Sequence, residues 1–435
     1  MMNVPNQCDV VVIGGGPSGS VAGTLLSRQG YDVVLFDKAK HPRYNVGESL
    51  IPHFWKYCDL VGVADKIQAE GFISKAGGTV SWNGVIRQVA FKDFGYSRPA
   101  MHVERDRFDH LLLENARTQG VQVYEEMSAL QTDFDHGDRV QVRYRPIGDK
   151  TAAEISCRFV VDASGQGAVI ARQLGVRTID EDFRFMSIWG YFTGSKYIAA
   201  DGKAYPFETL TSIPPTTFVS NVGEWGWVWH IPLRESTSVG LVLPLEQMKH
   251  IKASEEALEA YFLRQCQEIP ILNRLLENAR YCPGSLHVIR DYSYRPTQLT
   301  GPGFFLVGDA AAFVDPIFSV GVTISMYSAC TAAWALDRCF KNPGRRADHQ
   351  AIYATHFLDR LEVARSLALP RYGAGVGVSA RATSAIKSET TLELELMYVV
   401  STLTTRNENF QDMVRNNEGQ QIKSEKYRVL EAIEF

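Results

Sequence analysis

Unbroken apolar runs, each ending at a glycine or an acid, punctuate the chain. They are Val10 to Ile13 before Gly14, the strand Asp32 to Phe36, apolar from Val33 onward, before Asp37, the "FVVD" run ending at Asp162, and Phe304 to Val307 before Gly308 and Asp309. Short runs of this kind read as strands buried on both faces of a parallel sheet. Between the first two, Ser18 to Arg28 follows helical spacing and Gly30 is placed to stop it. In "HVERDRFDHLLLENARTQGVQVYE" a short strand leads into an amphipathic helix, with Phe108, Leu111, Leu112 and Asn115 on one stripe. The segments Gly78 to Phe91 and Ser212 to Leu243 read as β-rich. From about Thr331 the pattern turns helical, most clearly in "DHQAIYATHFLDRLEVARSLAL".

Three of the seven tryptophans fall in "GEWGWVWHIPL". Trp225, Trp227 and Trp229 alternate, so in a strand they share one face with Ile231. Pro232 cannot donate to a ladder and is expected to end that strand.

The first strand and helix enclose Gly14, Gly16 and Gly19 in a G-x-G-x-x-G turn. Gly14 allows the tight turn, Gly16 lets the backbone approach a pyrophosphate, and Gly19 lets helix and strand pack closely. The helix N-terminus supplies free amides and a positive dipole end for the phosphates. Asp37, roughly twenty residues on, stands where an acid accepts from a ribose hydroxyl. These features point to a dinucleotide without separating FAD from NAD.

Composition narrows the class. At 435 residues the chain has room for more than one core. It is 45% apolar and 22% charged with net charge −4, against a nucleic-acid binder. The seven cysteines are scattered with no CxxC pair, so no metal site or disulfide framework is expected, and a cytoplasmic location fits. No apolar run is long enough to span a bilayer, and the opening residues do not read as a secretory signal.

Three motifs in order, "R..FD..L" from Arg105, "DASG" from Asp162 and "GDAA" from Gly308, carry a resemblance to the FAD-dependent monooxygenase and reductase superfamily. Each alone is an ordinary turn; their order is specific. The resemblance implies FAD contacts at Gly14, Gly16, Gly19, Asp37, Arg105 and Asp309, with Glu48 and Ser49 of "VGESL" near the flavin. The implied fold class is α/β: a Rossmann-type, glutathione-reductase-like FAD-binding domain, a β-sheet substrate domain and a helical carboxyl-terminal region. The expected boundaries are 1–75, 100–175 and 290–335 for the FAD domain, 76–99 and 176–289 for the β-rich domain, and 336–435 for the helical region.

Further signatures narrow the resemblance to flavin-dependent halogenases of the phenol and pyrrole type. "WVWHIP" fits W-x-W-x-I-P, "FVDPIFSVG" fits F-x-x-P-x-x-S-x-G, and Lys75 in "GFISKAGGTVSW" takes the place of that family's essential lysine. The resemblance implies FADH2 and O2 as reactants, with chloride or bromide held on the Val320 and Gly321 amides. Hypohalous acid would be relayed by Lys75, with Ser319 as its partner, to an electron-rich aromatic. Trp227 and Trp229 would keep organic substrate off the flavin. Tryptophan-directed members carry a glutamate where this chain has Phe318, which weakens an indole reading. The implied partners are an aromatic small molecule, free or tethered to a carrier protein, and a separate flavin reductase, since no second nucleotide fingerprint is present. An aromatic hydroxylase or a prenyl-chain reductase on the same scaffold is the alternative, and a non-catalytic FAD-holding module the least favoured.

Overall fold

The computed structural model describes residues 4–223, 226–253, 256–368 and 428–435. The apolar runs assemble one six-stranded sheet in the order Thr300–Gly301, Phe304–Leu306, Phe159–Asp162, Val10–Ile13, Val33–Phe36 and Gln122–Tyr124. Its pairings are parallel except at the Thr300–Gly301 edge. Val10 to Val12 are completely buried, as strands covered on both faces must be. The helices Pro17–Arg28, Arg105–Thr118 and Gly321–Lys341 stand beside this sheet, sharing one apolar cluster with it. On Arg105–Thr118 the Asn115 amide is buried in the apolar stripe and donates to the Val61 carbonyl at 2.9 Å, so its polar group is satisfied.

A nine-stranded sheet forms the second layer. Its centre is Phe185–Thr193, Thr237–Pro244, Gly226–Pro232, Thr216–Val222, Gly77–Trp82 and Val85–Ala90. The chain end adds the strand Arg428–Leu430 beside Val85–Ala90, whereas only helix was expected so late in the chain. Helices Gly321–Lys341 and Arg346–Ala368 follow the helical pattern read from the sequence.

The tryptophan strand ends at Pro232, as the missing amide requires. Trp227, Trp229 and Ile231 join one apolar cluster and Val228 the opposite one, so the alternation of faces is realised and both faces are covered. Trp225 lies outside the described residues. Trp229 pairs with Gly240 on the neighbouring strand, and its indole lies across that glycine. A Cβ on Gly240 would stand 2.1 Å from the ring carbon Cζ2. Gly240→Ala is therefore expected to cost about 1–3 kcal/mol through overpacking, seen as a lower denaturant midpoint with an unchanged slope. A wild-type midpoint would show that the indole moves aside freely.

Candidate active site

The glycine turn is built as its chemistry requires. Gly14 has φ +106°, a conformation that a side chain rarely adopts. Gly16 caps the helix Pro17–Arg28 with no side-chain bond, and proline opens the helix, leaving the first amides without side-chain partners. Asp37 is buried and already engaged: Oδ2 accepts from the Gly15 amide at 2.7 Å and Oδ1 from the Ala39 amide at 2.8 Å. Burial opposes its ionisation, but His41, Arg43 and these amides outweigh that and lower its pKa. Asp37 thus braces the turn as well as facing the cavity.

That cavity, of about 530 Å³, is lined by Gly14, Gly16, Asp37, Glu48, Ser49, Arg105 and Asp309, and it continues to Thr217, Trp227, Trp229, Ser319 and Gly321. Most sequence-predicted positions therefore share one space; Gly19, Lys75 and Val320 do not line it. Gly19 packs behind the turn, where a Cβ would meet the Gly14 carbonyl oxygen at 1.8 Å. Arg105 grips Asp109 with two hydrogen bonds, at 2.8 and 3.0 Å, and donates to the Val46 carbonyl at 2.6 Å, so it shapes the loop before Glu48. Burial raises the Asp309 pKa to about 6, while Arg105 and the Ser325 hydroxyl pull the other way. Burial likewise raises Glu48 to about 7; its Oε1 accepts from the Tyr191 hydroxyl at 2.7 Å.

Behind Ser49 stands Lys75. A lysine beside glycines is normally solvated, yet this one is 3% exposed. Three short extended segments place it. Ile73–Lys75 pairs with Ala100–His102, and Ser49 bridges His102 from the other side, so Lys75 and Ser49 come together across that strand. Lys75 Nζ donates to Ser49 Oγ at 2.8 Å and to the Leu50 carbonyl at 3.0 Å. The Phe91 ring lies on another side, its centroid 5.3 Å away. Burial with no acid partner pulls the amine down to about 7, so its neutral form is populated near physiological pH.

The serine stretch reaches the same point from the far end of the chain. Asp315 accepts from the Ile317 amide and starts the short turn Pro316–Phe318. Ser319 then takes φ +59°, and the long helix Gly321–Lys341 begins. The Ser319 hydroxyl donates to Ser49 Oγ at 3.0 Å. Ser319 and Lys75 are thus joined through Ser49, a residue assigned from sequence only to the flavin side. Gly321 opens into the cavity at the helix N-terminus, while Val320 is buried beside it. Phe318 is buried in the apolar cluster with Trp227 and Trp229.

Sequence reasoning missed Thr217 and His102. Ser49 Oγ lies 2.9 Å from Thr217 Oγ1, which lies 2.8 Å from His102 Nε2. Neither residue sits in a signature, and only strand pairing brings them to Ser49.

The donor set fits FAD. A side-chain-free turn at a helix N-terminus would hold the pyrophosphate, and buried Asp37 and half-buried Asp309 offer acceptors to sugar hydroxyls. Among the described residues, no cluster of histidine, cysteine or acid could hold a metal ion, and no helix is long and apolar enough to cross a membrane. All seven cysteines are free.

Comparison with known proteins agrees with this geometry. The FAD binding domain family matches residues 7–354. A tryptophan 2-halogenase from Chondromyces crocatus is 34% identical over 82% of this chain and 67% of its own length. The flavin-dependent halogenase armH1 from Armillaria mellea is 35% identical over 76% of this chain and 65% of its own. The chain thus spans about two thirds of the length of these relatives. Among solved structures, the myxobacterial chondrochloren halogenase CndH superposes with a TM-score of 0.76 at 28% identity, covering 93% of this chain and 99% of that one. The flavin-dependent halogenase CmlS gives the same score and identity over 93% of this chain and 74% of its own. With its FAD cradle, its buried lysine and this shared sequence, the chain belongs to the flavin-dependent halogenases.

Proposed function

We propose that this enzyme halogenates an electron-rich aromatic ring, a phenol or a pyrrole, free or carried on a protein, using Lys75 to deliver the halogen. The observation that carries the reading is the buried amine of Lys75, without an acid partner and tied through Ser49 to Ser319 at the cavity wall. Bound in its reduced form, supplied by a separate reductase, the flavin would give O2 two of the four electrons that reduce it, the halide giving the other two as it becomes hypohalous acid, with water as the second product.

The chain's residues do the rest. The Val320 and Gly321 amides, at the start of a long helix, hold the halide, because amides at a helix N-terminus are pre-aimed donors. A neutral lysine has two N–H groups and one lone pair. Ser49 and the Leu50 carbonyl take the two N–H groups, so the lone pair meets hypohalous acid, either as hydrogen-bond acceptor or as nucleophile. In the second case an N–halogen bond forms, the O–halogen bond breaks, and hydroxide leaves with an amine proton as water. The ring then takes the halogen and the nitrogen recovers a proton from the ring. This return suits a site with Phe318 where an acid could stand, and a ring that activates itself. Phe91 marks the side of Lys75 on which we place the substrate.

Trp227 and Trp229 act as the barrier on the cavity side. Trp227→Phe combined with Trp229→Phe keeps an apolar wall but thins it. This variant is expected to divert a several-fold larger share of reduced flavin to hydrogen peroxide or hydroxylated product, read by peroxide assay beside product mass spectrometry. Unchanged coupling would remove the barrier role.

The function itself is tested by supplying reduced FAD, O2 and chloride or bromide with a panel of phenols, pyrroles and tryptophan, free and carrier-bound, and weighing the products. The Chondromyces relative is named for tryptophan, so that substrate belongs in the panel. Halogenated phenol or pyrrole supports the proposal. Hydroxylated product formed with NADPH alone and no halide would replace it with the hydroxylase reading.

A further inference from the structure

The hydrogen bonds behind Lys75 have a determined direction. His102 is buried, with Nδ1 2.9 Å from the Pro232 carbonyl oxygen and Nε2 2.8 Å from Thr217 Oγ1. A carbonyl only accepts, so Nδ1 carries the hydrogen. Burial holds the His102 pKa well below the ordinary histidine range, so the ring is neutral and, with Nδ1–H on the carbonyl, Nε2 is an acceptor. Thr217 must then donate to Nε2, and Ser49 must donate to Thr217. Ser49 Oγ is left with lone pairs only, and these receive the Lys75 N–H and the Ser319 O–H. Every bond in the chain points away from Lys75 toward Pro232.

We propose that His102 is a positioning residue that acts through Thr217 and Ser49 to keep the lone pair of Lys75 free for reaction. The Nε2–H tautomer would reverse the chain: Thr217 would donate toward Ser49, and the Ser49 hydroxyl would be free to turn its hydrogen onto the amine lone pair. A hydrogen bond on that lone pair would block the electron pair that must meet hypohalous acid. The carbonyl at the end of the tryptophan strand therefore sets the reactivity of a lysine it does not touch. This inference rests on Lys75 as the delivering residue.

Two measurements test it on the full chain. Nitrogen-15 spectra of histidine-labelled protein, with His102 assigned by its loss in His102→Gln, are expected to show the neutral Nδ1–H tautomer. Thr217→Val removes the connecting hydroxyl at nearly constant volume. It is expected to lower kcat for halogenation about tenfold with KM for the aromatic substrate little changed, and Thr217→Ser to restore most of the loss. A purely structural threonine would not show that split with hydroxyl rescue. An Nε2–H tautomer at His102 overturns the proposal. So does a Thr217→Val enzyme with wild-type kcat where Lys75→Ala is inactive. An active Lys75→Ala enzyme with Nδ1–H still on His102 overturns the role of Lys75 and leaves the tautomer lock standing.

Discussion

Lys75→Ala is expected to lower halogenated product by about two to three orders of magnitude, the range typical for losing a group that takes part directly in proton or group transfer. Hypohalous acid should still form, since the flavin cradle and the Val320 and Gly321 amides are untouched, and a small-molecule scavenger added to the assay should trap it. The arginine variant is expected to be as inactive as alanine. Arginine stays protonated and has no free lone pair, and the space between Ser49, Leu50 and Phe91 is shaped for one nitrogen. The pH dependence follows from the same burial. Halogenation should rise as pH passes about 7 and level off above it, because the amine loses its proton there. Full halogenation by Lys75→Ala would sink the relay, and a rate that falls as pH rises through 7 would mean that the protonated amine is the working form.

Gly19→Ala should weaken FAD binding by about one to two orders of magnitude, which corresponds to about 1.4–2.8 kcal/mol. The added methyl would lie 1.8 Å from the Gly14 carbonyl oxygen and 3.2 Å from Ala163 Cβ, and neither is the end of a flexible chain. The helix must therefore lift from the strand that holds the turn, and the phosphate amides move with it. Gly23→Ala, one turn further along the same helix, is the control. Its Cβ would meet only side-chain methyl groups, of Val121 at 3.4 and 3.5 Å and of Leu35 at 3.8 Å, so better helix propensity should make it neutral or slightly stabilising. Flavin fluorescence titration and thermal melting distinguish the two. Wild-type affinity in Gly19→Ala would show that the turn tolerates a displaced helix.

The FAD half of the molecule was legible because its instructions are local. Val10 to Ile13, the three glycines and Asp37 lie close together in sequence, and the turn they specify is made of their own backbone. The alternation at Trp227, Trp229 and Ile231 was legible for the same reason, since a strand has a period of two whatever it packs against. That Trp229 needs Gly240 was hidden, because which residue lies opposite depends on strand register.

Lys75 marks the boundary between the two kinds of information. Sequence by itself determined the dinucleotide turn, the strand and helix types, and, through motifs in order, the positions of Lys75, Ser319 and the paired tryptophans. Tertiary structure alone decided that Lys75 is buried without an acid partner, that Ser49 joins it to Ser319, which lies 270 positions beyond Ser49 in the chain, and that Thr217 and His102 direct the bonds behind it. The physical reason is that an amine's proton affinity and a hydroxyl's direction depend on solvent exclusion and on the partners within about 3 Å. For these groups such partners come from strands far apart in the chain, brought together by pairing that no local pattern encodes.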